Sequence, residues 1–378
     1  MKKAVLIPDS FKGTLTSQQI CDILRQKIQT YFPDCETVSI PVADGGEGSV
    51  DCFLSALGGE KVCKTVKNPY FEDMTAFYGL IENGQTAIVE MAACAGLPLV
   101  EDRKNPLKTT TYGVGQLILA AASRGVKKII VGLGGSATND GGCGAAAAAG
   151  IRFFNAAGES FIPTGGTTGD IISIDFSGRD AVLDGVEIVT MCDIDNPMYG
   201  PTGAAHVFGP QKGADPEMVQ LLDSGIRNLC EVIRRDSGQD LRETPGGGAA
   251  GAMGAGMIAF FGSRLQMGIQ TVLDTVNFDA VLSGADMVFT GEGKLDSQSL
   301  RGKVVAGVAG RAKAWGVPVT VLVGGAEDPA ISAVYEMGVT SVFPINRLPQ
   351  DFSVSRKHSA DNLAYTMDNI LRLLAHRP

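Results

Sequence analysis

KKIIVGLGGSATNDGGCGAAAAAG, residues 127–150, is the stretch on which the fold turns. Its first six residues, KKIIVG, contain an apolar run that reads as a buried strand. Its last nine, GCGAAAAAG, have the small residues of a tightly packed helix. Between them lies a loop of glycines and hydroxyls, LGGSATNDGGCG (Leu133–Gly144). A strand, such a loop and a helix start together suit a phosphate group. Backbone N–H groups can come close to an anion, and the helix N-terminus adds partial positive charge. Ser136, Thr138 and Asn139 add neutral donors beside Gly134 and Gly135, and Asp140 adds a carboxylate able to hold Mg2+ or take a proton. The alternative is a tight turn whose glycines serve only close helix–sheet packing.

Working outward, strand-then-helix units recur at both ends of the chain. Ala4–Ile7 reads as a strand ending in PDSFKG, and Thr16 with Gln19 fits a capping box before a helix with Ile20, Ile23, Leu24 and Ile28 on one face. Glu36–Val42 is a second strand, ending in ADGGEG, with a helix to about Leu57. Far downstream, Asp286–Gly291 reads as a strand, Lys303–Trp315 as a helix, PVTVLVGG as a strand and Pro329–Met337 as a helix. VTSVFPI and an amphipathic helix over Asp361–Leu374 close the chain. The middle differs. Asn83-Gly84 between two β-prone runs predicts a hairpin, helices fall near Thr111–Arg124 and Pro216–Arg235, and a second glycine run, PGGGAAGAMGAG, spans Pro245–Gly256.

Alternating strands and helices imply a parallel sheet covered on both faces. The expected fold class is therefore α/β. Both chain ends (1–65 and 285–378) form a Rossmann-like parallel-sheet domain, and an inserted second α/β domain (66–284) contains hairpins and Gly-rich helices. The active-site cleft is expected where the two meet.

The 378 residues suffice for about two domains, and a 44% hydrophobic share argues against disorder. The 49 glycines are nearly twice the usual share of about 7%, and they cluster in loops where backbone must approach something. A net charge of −9 argues against a nucleic-acid partner. Eight cysteines without a CxxC pair read as reduced, mostly buried thiols. Three histidines disfavour His-rich metal sites and His-based triads. No signal peptide and no membrane-length apolar run are visible, so a soluble cytoplasmic protein is expected.

In an open parallel sheet, ligands gather beyond the carboxyl ends of the strands. Those ends carry PDSFKG, ADGGEG, GGSATNDGG, CDIDNP and TGEGKLD. In the last, which continues as TGEGKLDSQSLRGK (Thr290–Lys303), Glu292 and Asp296 suit Mg2+, which takes hard oxygen ligands, and Lys294, Arg301 and Lys303 suit phosphate oxygens. A solvated loop in which Asp296 or Ser297 caps the next helix is the alternative. Asp193 follows a strand directly, where a general base can face a cleft or an Asx-turn can form before Pro197. Asp9, Ser10, Lys12 and Asp44 fit substrate or nucleotide contacts or helix caps. His206 reads as a packing residue, and Lys212 as a mobile cation for an anionic substrate. GxxxxGK[ST], GxSxG, HExxH and zinc spacings are absent. GLGGSA satisfies GxGxxA after a strand but has no acidic ribose partner at the expected distance.

Taken together and in order, IPDSFKGTLT, PVADGGEG, GLGGSATNDGG, CDIDNP, FGPQKGA, AAGAMGAG and TGEGKLDSQS resemble the glycerate kinase type 1 family, from Lys3 to near Ile345. The resemblance implies transfer of the ATP γ-phosphoryl group to D-glycerate with Mg2+, the 2-hydroxyl being favoured, in a two-domain fold distinct from P-loop kinases. Roles are placed on the matching motifs as follows. Asp193 takes the hydroxyl proton. Glu292 and Asp296 bring in Mg2+. Lys12 and Lys303 face phosphate oxygens, and Gly134, Gly135, Ser136, Thr138 and Asn139 cradle the anion. Asp9, Ser10 and Asp44 contact substrate, and Lys212 or Arg301 holds its carboxylate. The partner is a small molecule, with a homo-oligomer left open. Residues beyond Ile345 read as packing only. The rival readings are a kinase of another small hydroxy or sugar acid, an NAD-dependent oxidoreductase, and a non-catalytic binding protein.

Overall fold

A computed structural model describes every residue except Asp44, Gln298, Arg301, Arg377 and Pro378. The chain forms two compact units. One comprises Met1–Asp44, Ser55–Leu57 and Met267–Pro378, the other Gly45–Leu54 and Gly58–Gln266. The α/β class read from the alternating pattern is what the chain adopts.

In the first unit five strands make a wholly parallel sheet, in the order Val339–Pro344, Val319–Ala326, Met287–Leu295, Lys3–Leu6, Glu36–Ser39. The N-terminal strand thus lies between a near neighbour in sequence and a distant one. Thr16 and Gln19 close the capping box of the helix Ser17–Tyr31. That helix buries Ile20, Leu24 and Ile28 in one core with Leu6, Phe289, Leu363, Met367 and Leu371. The last three belong to the helix Ser359–Ala375.

The strand Met287–Leu295 runs past Gly291, where a loop was expected. Its neighbour continues the ladder, pairing Glu292 with Val323, Lys294 with Gly325 and Leu295 with Ala326. Glu292 therefore stands on a strand end, held by backbone bonds. The next helix, Val304–Ala314, has Lys303 at its N-cap and no side-chain cap bond, so the alternative of capping by Asp296 or Ser297 is not what forms there.

The second unit holds a six-stranded mixed sheet. Arg264–Gln266, Glu187–Met191, Lys128–Gly132 and Thr86–Glu90 are parallel, and Asp73–Ile81 and Glu60–Lys67 add antiparallel strands. The expected hairpin turns at Glu82–Gly84, with Asn83 at φ 55°. A three-stranded antiparallel sheet from Arg152–Phe154, Ser160–Phe161 and Ser173–Asp175 lies in the same unit. The core gathers Val89, Leu117, Ile118, Ile129, Val131 and Phe260.

Candidate active site

The carboxyl ends of the first unit's strands open into a pocket of about 530 Å3, within the roughly 300–1,000 Å3 of small-molecule sites. Asp9, Ser10 and Lys12 line it from the turn after the first strand, and Glu292, Asp296 and Lys303 from the end of the central strand and beyond. Six residues singled out in two distant motifs thus share one hollow. The backbone arranges this: Asp9 N–H donates to the Gly291 carbonyl at 2.8 Å, tying the turn to the central strand. Lys294 also lines the pocket, but its Nζ pairs with Glu327 at 2.7 Å.

Glu292 is the chemically distinctive group. Its side chain is buried, and its Oε1 has no hydrogen-bond partner among the described residues. Burial, reinforced by the negative charges of Asp9 and Asp296, pushes its carboxyl up to about 7, while Ser299 and Lys303 pull the other way. A buried carboxylate oxygen left without a donor suits a cation or a proton. No group of three or more His, Cys, Asp or Glu side chains is arranged to hold a metal among the described residues. The described residues therefore make no complete protein cage. Mg2+ usually needs only one or two carboxylates, with water and phosphate supplying the rest, and Glu292 with Asp296 fits that donor set.

The second unit carries the other set. Parallel pairing of Met191 and Glu90 with Gly132 brings three strand exits to one rim, so Asp193 and the 133–144 loop leave the sheet at the same end. In that loop the anion at the helix start is the chain's own. Asp140 is fully buried and accepts from the N–H of Thr111, Gly142 and Gly144 and from the Thr111 hydroxyl, at 2.8–3.1 Å. Burial still holds its carboxyl above the ordinary value. The N-terminus of the helix Cys143–Ala148 is thereby filled. The packing alternative also describes Gly134. A Cβ there would lie 2.5 Å from Gly46 Cα, and its N–H donates to the Gly45 carbonyl.

What remains for a ligand in this loop is side-chain chemistry. Thr138 Oγ1 and both amide atoms of Asn139 are buried and lack partners among the described residues. Lys212 is not the mobile cation expected. It is 1% exposed, and its Nζ donates to Ser136 Oγ at 2.8 Å and to the Thr138 carbonyl at 2.6 Å. Desolvation pulls it down to about 7, partly offset by Asp140. His206 lies 4.0 Å from Asp223, whose Oδ1 also accepts the Gly200 N–H, in keeping with a packing role. Asp44 and Arg301 lie outside the described residues.

Glu90 went unnoticed in the sequence. It ends the apolar strand TAIVE, is buried, and accepts the Val50 N–H in the first turn of the helix Ser49–Leu57. An acid closing an apolar run was the available signal. The segment after the last strand was read as packing, yet Asn346, Phe352 and Ser355 line the first unit's pocket.

An open α/β sheet whose carboxyl end gathers lysines and carboxylates in one pocket belongs with enzymes that handle phosphorylated ligands. Residues 4–375 match the Glycerate kinase family. The chain is 44% identical to a glycerate kinase of Bacillus cereus, covering 97% of each chain. It is 39% identical to a glycerate 2-kinase of Escherichia coli, covering 99% of this chain and 98% of that one. A crystal structure described as a glycerate kinase 2 from Salmonella typhimurium LT2 superposes with a TM-score of 0.87 at 39% identity, over 99% of this chain and 98% of the other. The chain belongs to the glycerate kinase family and is a kinase. The match also takes in the segment beyond Ile345. No described helix is long and apolar enough to cross a membrane.

Proposed function

We propose that the protein transfers the γ-phosphoryl group of ATP to the 2-hydroxyl of D-glycerate with Mg2+. The pocket carries the nucleotide half of this reading: two lysines, a buried carboxylate oxygen with no partner among the described residues and room for more than a three-carbon acid. The acid half draws on relatives named glycerate kinase and glycerate 2-kinase.

Phosphoryl transfer asks for alignment and charge neutralisation more than covalent chemistry. Lys12 and Lys303 face the phosphate oxygens, and Asp9 and Ser10 position the reacting end. Glu292 and Asp296 would hold Mg2+, which neutralises phosphate charge when bound. Ser136, Thr138 and Asn139 bind the acid's polar groups. Lys212 fixes the Ser136 hydroxyl and the Thr138 carbonyl rather than reaching out. Asp193 orients the acceptor hydroxyl and receives its proton. The family assignment removes the oxidoreductase reading, and a related hydroxy acid as acceptor is the remaining rival.

NMR of the product formed from ATP, Mg2+ and D-glycerate tests the proposal, with 2-phosphoglycerate expected. Formation of 3-phosphoglycerate overturns the regiochemistry, and faster turnover of another hydroxy acid overturns the substrate. Asp193→Asn is expected to lower kcat by about 10²–10⁴, and a near-normal rate removes the base role.

A further inference from the structure

The pocket lining is of two chemical kinds. One is the lysines and carboxylates already described. The other is Phe11, Ile345 and Phe352, with Asn346 beside them. Phe352 opens the short helix Phe352–Ser355 and is 59% exposed. It is the one of the pocket's three largest apolar side chains that stands open to solvent, Phe11 and Ile345 being buried. Its ring reaches the turn that bears Lys12, since a Cβ on Gly13 would lie 3.9 Å from Phe352 Cζ. The Phe352 ring thus abuts the turn on which Lys12 stands.

A three-carbon acid presents no flat apolar surface to such a wall. A nucleobase does, and base–aromatic stacking needs only a π-face. Asn346 narrows the choice. Its Nδ2 donates to the Gly324 carbonyl at 2.6 Å, which orients the amide and leaves Oδ1 as an acceptor. At its 6-position a 6-aminopurine offers a donor to that oxygen, where a 6-oxopurine presents an acceptor.

We propose that the segment following the last strand forms the base end of the nucleotide site. In it Phe352 stacks on a 6-aminopurine, and Asn346 Oδ1 accepts from the exocyclic amine. This rests on the kinase reading above and assigns the base to residues that carry no motif. Phe352 and Asn346 are specificity residues, since neither touches the reacting atoms.

Calorimetric titration of the full chain with ADP, GDP and inorganic tripolyphosphate tests it. Phe352→Ala is expected to weaken ADP binding on the order of 10-fold or more and to leave tripolyphosphate binding unchanged. Phe352→Trp is expected to restore ADP binding. Asn346→Ala is expected to narrow the preference for ADP over GDP. Because Phe352 is exposed, Phe352→Ala is expected to melt like the wild type. Phe352→Leu, which keeps apolar bulk without the π-face, gives a second reading, with ADP binding weaker than in Phe352→Trp. Unchanged ADP binding in Phe352→Ala, or equal losses for ADP and tripolyphosphate, overturns the proposal. So does a raised KM for glycerate with that for ATP unmoved. A wild-type protein that phosphorylates no acid with ATP would instead sink the kinase chemistry, a separate outcome.

Discussion

Asp140 shows how a residue in a ligand-binding pattern can serve the fold. Four donors converge on its carboxylate in a fully buried site. Removing it would strand them without partners, at about 1–3 kcal/mol for each group left unsatisfied. Asp140→Ala is therefore expected to lose several kcal/mol of stability in urea unfolding, or to fail to fold, and added Mg2+ should not rescue it. Lys212 gives a pH signature. Its folded value of about 7 lies below the ordinary 10.5. Below about pH 7 both states carry the proton, and the fold bears the full cost of burying a cation. Between about 7 and 10.5 the unfolded chain holds a proton the fold has released, so stability rises with pH in that window. Lys212→Met should abolish that rise, measured as unfolding free energies near pH 7 and pH 9.5. A variant with the wild-type slope would refute the assignment.

At the scale of elements, the two glycine-rich runs prove to be halves of one packed contact. The helix Ala249–Phe261 begins with three successive residues at positive φ, Ala250, Gly251 and Ala252. Gly251 lies so close to the first run that a Cβ would meet the Thr138 carbonyl oxygen at 2.2 Å and Asn139 Cα at 2.4 Å. Gly251→Ala is expected to cost at least ~1–3 kcal/mol through overpacking, read from denaturant midpoints. Each run was legible as a place of close approach, because glycine clusters mean little else. Neither showed that its partner was the other, since that contact joins residues over a hundred positions apart. The strand Met287–Leu295 was legible only to Gly291 for a related reason. TGEGK has loop composition, and only the neighbouring strand makes it extended. The capping box at Thr16 and the hairpin at Asn83-Gly84 depend on adjacent residues, and both were readable directly.

For the whole molecule, motif order and strand alternation were enough to place the chain in its family and fold class. The pocket wall from Asn346 to Ser355 was not legible. It has no glycine loop or charge cluster to mark it, and Leu348, Phe352 and Val354 are scattered through it with no periodicity to read. The two units have separate large cores, which predicts stepwise unfolding. Mg2+ with an ATP analogue should raise the transition in which the first unit melts and leave the other near its unliganded temperature, as followed by calorimetry and hydrogen exchange. A single transition moving as a whole would contradict this.

The placement of Lys3–Leu6 between Glu36–Ser39 and Met287–Leu295 has a further consequence during synthesis. The first two strands leave the ribosome early, but the strand that completes their pairing is made some 250 positions later. At about 5–20 residues per second that delay is on the order of tens of seconds. Meanwhile the second unit has all its own strands and can fold, while an apolar N-terminal segment waits uncovered. Nascent chains of this protein should therefore engage holding chaperones through the segment bearing Lys3–Leu6 and Glu36–Ser39 and let go only once Met287–Leu295 has emerged.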